Sequence, residues 1–297
     1  MKKKVLFIVN PVSGGKKKDN VPALIKKYLD NNLFEAEFAF SAQVSHARKI
    51  AGDAIGVYEL IVAVGGDGTV NEVASAIVGT STALGIIPYG SGNGLSRFLG
   101  IPMNVVKAIK TINTYRLVTI DSAQFNGQPF FNMAGMGFDA HISDVFSHGK
   151  RRGFYSYFKS SLSEIIKYKS DVYRLEIDGK SYEREAFMLS FANSSQYGNN
   201  AHVSPKASVQ DGWLDVCVIK PFPLYRFPEM GLRMFMKTAD TSKYVEIIKG
   251  KHIRVSRSRP GPLHLDGEPR QGGNDAEINI LPLSLAVIVG ATFLEIS

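Results

Sequence analysis

Cysteine is nearly absent from this chain: among its 297 residues only Cys217 carries a thiol. No internal disulfide can form, a reducing compartment fits, and no Cys/His spacing suggests a zinc site. Long apolar runs are missing too. Met1, Lys2, Lys3 and Lys4 lead into only five apolar residues, Val5 to Val9, which is short of a signal peptide's apolar stretch and reads as a first strand. The most hydrophobic stretch, Ile280 to Leu294, is interrupted by Pro282, Ser284 and Gly290 and falls below the roughly 20 residues that span a bilayer. No internal repeat or low-complexity tract is evident. The helix, zinc and RNA-binding signatures of nucleic-acid recognition are lacking, so no nucleic-acid partner is expected.

What is present is the composition of a soluble globular protein: 44% hydrophobic and 21% charged residues, 28 Gly and 13 Pro, with a mean hydropathy of -0.03. At roughly 100 to 200 residues per domain the length predicts about two domains. Lys and Arg number 35 against 27 Asp and Glu, an excess of eight positive charges and a pI near 9.4. Such a surplus favours polyanions, whether nucleic acid, an anionic membrane or nucleotide phosphates, and charge alone does not choose among them.

Residues 1–121 alternate short apolar runs with amphipathic stretches. Strands are expected at Val5 to Val9, Glu37 to Phe40, Leu60 to Val64, Ala83 to Ile87 and Leu117 to Ile120, with helices near 21–31, 45–54, 70–78 and 104–112. Continuous apolar strands separated by helices indicate a parallel sheet covered on both faces, hence a Rossmann-like α/β domain. The helical spacing is clearest at Val70, Val73, Ala74, Ile77 and Val78, stopped by Gly79. From Asp121 the pattern changes to short β-runs with hairpin signals at Asn126-Gly127 and Asp178-Gly179. Helical interruptions are expected at 154–168 and 225–237, and strands at Leu214 to Ile219, Ile253 to Val255 and Ile278 to Leu281. Residues 122–284 are therefore expected to form a β-rich, antiparallel, sandwich-like second domain. The sequence permits the last strand, within 285–297, to return to the first domain without establishing it.

Three of the expected strands in the first domain end in glycine-rich loops. Leu60 to Val64 runs into Gly65-Gly66-Asp67-Gly68-Thr69, Ala83 to Ile87 into Pro88-Tyr89-Gly90-Ser91-Gly92-Asn93-Gly94, and Val5 to Val9 into Asn10-Pro11-Val12-Ser13-Gly14-Gly15 with Lys16 to Lys18 behind it. Glycines at the carboxyl ends of parallel strands let backbone N–H groups approach phosphate, and a following helix N-terminus adds a favourable dipole. Neither the Walker A pattern nor the dinucleotide G-x-G-x-x-G occurs. Asp67 is the odd element, since a carboxylate repels phosphate unless a divalent cation, a proton to be taken or a basic partner stands between them. Its bland reading is a helix N-cap.

In this order and spacing, Asn10-Pro11 with Ser13-Gly14, Gly65 to Thr69 with Asn71-Glu72, and Pro88 with Gly90 to Asn93 resemble the diacylglycerol kinase catalytic family. That family also includes sphingosine and ceramide kinases and bacterial soluble lipid kinases. The resemblance continues through Gly135 to Asp139, Asp211 to Asp215, and Leu265-Asp266-Gly267-Glu268, and so covers nearly the whole chain. It implies an ATP-dependent kinase acting on a lipid hydroxyl, with nucleotide on the first domain and lipid in a cleft reaching into the second. Asn10, Ser41, Gly65, Gly66, Asp67, Gly68, Thr69, Val70, Asn71 and Ser91 would then line the nucleotide site. His46, in Ser45-His46-Ala47, is either a ligand contact or a solvated cap.

In the second domain the resemblance implies Mg²⁺ at Asp211, with Ser208 and Trp213 supplying backbone carbonyls; Asp211-Gly212 reads equally as a turn. Glu268 matches the family's proposed general base, with Asp67 the rival, otherwise organising Mg²⁺. Asp139 is either a substrate contact or a turn cap. Gly94 stands where diacylglycerol-type members often carry Asp, which tilts the acceptor towards a sphingoid base. A membrane-borne acceptor implies a cytoplasmic enzyme that visits anionic bilayers peripherally. Lys150-Arg151-Arg152 ahead of Phe154, Tyr155, Tyr157 and Phe158 is one basic cluster suited to that; Arg254, Arg257 and Arg259 form the other. A homodimer is compatible with the sequence. Two alternatives stay open: an NAD kinase, which shares Gly-Gly-Asp-Gly but typically places its Asn-Glu pair well downstream, and a nucleotide- or lipid-binding regulator without catalysis.

Overall fold

The computed structural model describes residues 2–12, 20–147, 164 and 168–294. The chain divides into two compact units, Met1–Ser122 with Pro282–Ser297, and Ala123–Leu281.

The first unit runs β1 (Lys3–Val9), α1 (Val21–Tyr28), β2 (Phe34–Phe40), α2 (His46–Asp53), β3 (Leu60–Gly65), α3 (Asp67–Ile77), β4 (Ala83–Pro88), α4 (Gly94–Phe98), α5 (Val105–Thr114) and the start of β5 (Leu117–Phe125). Its strands pair in parallel in the order β2-β1-β3-β4, with Val5 beside Ala36 and Leu60, and Leu60 beside Ala83. β3 and β4 are buried along their whole length, as strands covered on both faces must be. Parallel pairing brings the carboxyl ends of β1, β3 and β4 to one edge, so the loops after them share that edge.

The second unit continues with β6 (Gln128–Phe130), β7 (Met133–Gly137), α6 (Phe138–Ser147), β8 (Asp171–Ile177), β9 (Lys180–Ala186), β10 (Met188–Ala192), β11 (Gln196–Gly198), β12 (Ala201–His202), β13 (Leu214–Ile219), α7 (Phe227–Phe235), β14 (Val245–Gly250), β15 (His252–Arg257), β16 (Gly261–Leu265), β17 (Glu268–Gly272) and β18 (Asp275–Ile288). Both hairpin signals close turns: Asn126 and Gly127 join β5 to β6, Asp178 and Gly179 join β8 to β9, and all four residues have positive φ. One antiparallel sheet has the order β14-β13-β10-β7-β16-β17, and β15, β8 and β9 form a second layer with the start of β18. Alternate residues divide the faces. Leu189, Phe191, Leu214, Val216 and Val218 fill the core between the layers, while Met188, Cys217 and Ile219 face the other way and pack with Met230 of α7.

The chain enters the second unit within β5 and leaves it within β18. Sequence pattern suggested two strands around Pro282; the structure shows one, whose early residues pair with β15 and whose Val287 pairs with Leu84 of β4. Pro282 cannot donate to a ladder, and it falls where the pairing partner changes, next to Leu283 at φ 45°. In the first unit, Asp121 Oδ1 accepts the Leu283 N–H at 2.7 Å and Ser122 Oγ meets Ser284 Oγ at 2.6 Å, fixing the returning segment. Among the described residues no helix is long and apolar enough to cross a membrane.

Candidate active site

The glycine loops of the first unit are braced against one another. Tyr89 N–H donates to Gly65 O at 2.7 Å. A Cβ on Gly90 would stand 2.8 Å from Gly66 Cα and 2.6 Å from Asn93 Oδ1, and one on Gly65 would stand 2.4 Å from Thr69 Oγ1. Backbone has replaced side chain at these contacts, which is what lets the loops pack so closely. Asn93, buried with φ 52°, accepts from Gly90 N at 2.9 Å and donates to Gly90 O at 2.7 Å, clamping the second loop. Arg97 Nε holds Gly92 O at 3.0 Å from the next turn.

Asp67 lies in the first turn of α3, which starts three residues earlier than the apolar spacing suggested. It is not the N-cap; Gly66 is. Its carboxylate turns to the neighbouring loop, with Oδ2 accepting Asn93 N–H at 2.9 Å and Oδ1 accepting Gly94 N–H at 3.0 Å. Asn10 Nδ2 donates to Thr69 Oγ1 at 3.0 Å, joining the loop after β1 to α3. The structure thus gathers Asn10, Gly65, Gly66, Asp67, Thr69 and the 90–94 loop. Gly68 and Val70 share the first turn of α3, Asn71 follows with Oδ1 accepting from Ser75 Oγ at 3.3 Å, and Ser91 is exposed at the tip of its loop. Ser41 is buried just past β2, its N–H on Val9 O. Glu72, quoted in the motif without a role, accepts Ser45 N–H at 2.9 Å and Ala47 N–H at 3.1 Å, capping α2; His46 Nδ1 accepts Ala42 N–H at 3.0 Å and so serves the local turn. Ser13, Gly14, Gly15 and Lys16 to Lys18 lie outside the described residues.

In the second unit Glu268 opens β17, directly after the Asp266-Gly267 turn, and is exposed. That turn is held firmly. Asp266 Oδ1 accepts Asn132 N–H at 2.8 Å and Met133 N–H at 3.0 Å, and Oδ2 accepts Phe131 N–H at 3.1 Å. His264 reaches the same turn, with Gly267 N–H 3.4 Å from Nδ1, while its Nε2 lies 2.9 Å from Asp139 Oδ2. An accepting Nδ1 leaves Nε2 as the protonated nitrogen, which then donates to Asp139. Asp139 also accepts Tyr197 O–H at 2.8 Å and Ala140 N–H at 2.8 Å, and is buried together with His264. Burial, then the Asp139 charge, hold the Tyr197 phenol well above its usual pKa, so it donates at every physiological pH. Gly135 leaves the room this pair needs: a Cβ there would run into Asp139 Oδ2 and His264 Nε2. Neither His264 nor Tyr197 carried a signal in the sequence, because their partner lies far away along the chain.

Ser208, Asp211 and Trp213 share the turn before β13. Asp211 Oδ1 accepts Trp213 N–H at 3.1 Å and Gly212 has φ 69°, as a turn demands. Asp211 Oδ2 lies 2.5 Å from Lys249 Nζ, and Lys251 Nζ sits 4.5 Å from the centre of the Trp213 ring. Burial alone would lower the Lys249 pKa, but the Asp211 hydrogen bond and the nearby Asp215 charge outweigh it and raise the value. A resident Mg²⁺ does not fit this donor set as it stands, since the carboxylate is already matched by an ammonium. Among the described residues no group of three or more His, Cys, Asp or Glu side chains could hold a metal ion.

The basic cluster at 254–259 divides. Arg254 and Arg259 are exposed, but Arg257 is buried, donating to the carbonyls of Gly261, Pro262, Gly272 and Gly273 at 2.6 to 3.2 Å. Its charge staples β16 and β17 to the end of β15 and is not offered to a membrane. The 150–158 cluster lies outside the described residues.

Residues 4–125 match the diacylglycerol kinase catalytic domain, and residues 132–289 match the YegS C-terminal NAD kinase beta sandwich-like domain. The chain belongs to the diacylglycerol kinase catalytic family. A family member named diacylglycerol kinase from Bacillus subtilis is 29% identical over 90% of both chains. A Citrobacter koseri protein named "Probable lipid kinase YegS-like" is 31% identical over 76% of this chain and 77% of its own. The crystal structure of a diacylglycerol kinase from Bacillus anthracis superposes with a TM-score of 0.77 over 98% of both chains; at 24% identity this likeness concerns the fold. An Archaeoglobus fulgidus NAD kinase in complex with ATP shares the fold more distantly, with a TM-score of 0.53 and 13% identity over 97% of this chain and 94% of its own.

Proposed function

We propose that this lipid kinase transfers the γ-phosphoryl group of MgATP to the hydroxyl of diacylglycerol. The observation that carries the reading is the paired glycine loops, closed against each other and stitched by Asp67 to Asn93 and Gly94. Such loops present N–H groups to phosphate oxygens, and Asn10, Ser41, Asn71 and Ser91 complete the nucleotide contacts. Mg²⁺ arrives with ATP as part of the substrate, where it offsets charge on the phosphates. Asp67 ties the two loops together and would help to hold that ion, and Glu268 takes the hydroxyl proton. As the acceptor oxygen bonds to the γ-phosphorus, the bond to the bridging oxygen breaks and ADP leaves. The clamps on the turn before Glu268 support its role, because a base must be held in position to act. We place the enzyme in the cytoplasm, where ATP is supplied, meeting its acceptor at the bilayer surface.

A sphingoid base is the second acceptor to consider, because Gly94 leaves no carboxylate beside Asp67 at that position. Transfer from labelled ATP to mixed micelles of diacylglycerol, sphingosine, ceramide or monoacylglycerol, with NAD as a control, separates the readings. Diacylglycerol is expected to be the best acceptor. Label on NAD alone overturns the lipid reading, and ATP binding without transfer to any acceptor would indicate a regulator.

A further inference from the structure

Five large apolar side chains stand exposed between Leu224 and Met236: Leu224 (50%), Tyr225 (75%), Leu232 (58%), Phe235 (48%) and Met236 (63%). Their arrangement follows the helix. Phe227, Met230 and Met234 face inward, the two methionines packing beneath the six-stranded sheet and Phe227 beside Phe138 and Ile142. Pro228, Leu232 and Phe235 point to solvent at the complementary positions. A surface helix ordinarily turns polar residues outward, whereas α7 is apolar on both faces. A continuous exposed apolar face of this kind marks an interaction surface.

The exposed charged residues of this stretch are of one sign. Between residues 220 and 248 the exposed charged residues are Arg226, Lys237 and Lys243, all cations, of which Arg226 is paired with Glu229. The three carboxylates in the same stretch are half-buried and each is already matched: Glu229 by Arg226 and Arg233, Asp240 by Lys206, and Glu246 by Arg184 and Lys220. Behind the helix an aromatic seam leads inward, Phe222 to Phe187 to Phe138 to Tyr168, with ring centres 5.2, 4.5 and 5.3 Å apart. Tyr168 lines a cavity of about 460 Å³ in the same unit. The inward face of α7 thus packs on half-buried apolar material, which holds the helix in place and leaves its outer side chains to solvent.

We infer that the turn Leu224–Arg226 together with α7 is the face by which this enzyme docks on an anionic lipid bilayer. The apolar side chains enter the boundary between headgroups and chains, and Lys237 and Lys243 meet anionic headgroups. This rests on the lipid kinase reading, and it adds an element to which charge alone did not point.

The test is flotation of the full chain with vesicles of phosphatidylcholine, with and without phosphatidylglycerol, for the wild type, Leu232→Ser/Phe235→Ser and Lys237→Glu/Lys243→Glu. The wild type is expected to float best with the anionic vesicles at low salt. The serine variant should lose about tenfold or more in binding, the scale of removing two apolar anchors. Phosphorylation of a water-soluble short-chain diacylglycerol should be unchanged in it. The glutamate variant should lose the preference for anionic lipid, and serves as the second probe should the serine variant unfold. Unchanged flotation of both variants overturns the inference. So does sedimentation showing a wild-type dimer that becomes monomeric in the serine variant, since a second copy would then cover the face. Wild type that floats through this face but phosphorylates no lipid overturns the kinase reading and leaves the docking result standing.

Discussion

Asp139 illustrates how much a residue's neighbours decide. Read as a motif, it is a substrate contact or a turn cap; in the fold its carboxylate is buried on His264 and Tyr197, and His264 reaches the turn that presents Glu268. The two carboxylates should therefore fail differently. Glu268→Gln removes the proposed proton acceptor, and turnover is expected to fall about a hundredfold or more, the scale of general-base loss, with ATP affinity little changed. Asp139→Asn keeps the shape but alters the proton arrangement around His264. Its melting temperature is expected to fall, since the new N–H donors face groups that donate. At a temperature where the variant stays folded, its turnover is expected to fall about tenfold with the KM for ATP nearly unchanged. Steady-state kinetics beside thermal melts check both, and a fall in Asp139→Asn that merely tracks lost stability would deny Asp139 a positioning role. Glu268 itself was legible, because Asp-Gly-Glu is a contiguous pattern. His264 was not, since its two contacts lie 125 residues upstream and three residues downstream.

At the scale of elements, the loops after β1, β3 and β4 were foreseen as a cluster because parallel pairing delivers them to one edge. Their bracing by Asn93 and Arg97 was not, since neither residue differs by pattern from an ordinary helix-start Asn or helical Arg. The edge of the β-rich unit shows the converse, a contact with no pattern at all. Glu246 on β14 receives Arg184 of β9 at 3.0 Å and Lys220, just past β13, at 3.0 Å. The hydrogen bond from Arg184 is the main reason its pKa is lowered, with Lys220 adding to it and partial burial opposing. A carboxylate whose folded pKa is depressed stabilises the fold above its unfolded pKa, and that contribution is lost as pH falls through the folded value. Glu246→Gln is accordingly expected to cost about 1 kcal/mol at neutral pH, modest because the group is partly solvated. The difference from wild type should shrink as pH drops below the usual carboxylate range. Urea melts at several pH values measure this, and a pH-independent difference would assign the effect to packing.

For the whole molecule, the question is what beyond packing holds it together. Lys249 already matches Asp211, so removal of divalent ions by EDTA, without nucleotide present, is expected to leave the melting temperature unchanged. A clear fall would show a structural ion at the Asp211 turn, displacing the lysine from the position it holds here. Much of the element order was legible, because periodicity and turn residues are local properties of the chain. In the second unit α6 and the strands β7, β10 and β16 had no matching expectation, and the helix expected at 154–168 lies almost wholly outside the described residues. The long β18 departed in another way: its two apolar runs joined into one strand because a partner existed for each half.

The sequence by itself determined the two kinds of architecture, the glycine loops and the family, since all three are written in contiguous residues and spacings. Tertiary structure decided the rest. It turned Arg257 inward onto four carbonyls, matched Asp211 with Lys249, tied Asp139 to His264, and left the apolar stripe of α7 facing solvent. Each of these depends on which groups meet across the fold and which face of an element finds a neighbour. Such outcomes follow from packing, where burial and unsatisfied hydrogen-bonding groups select the partner, and no local pattern contains them.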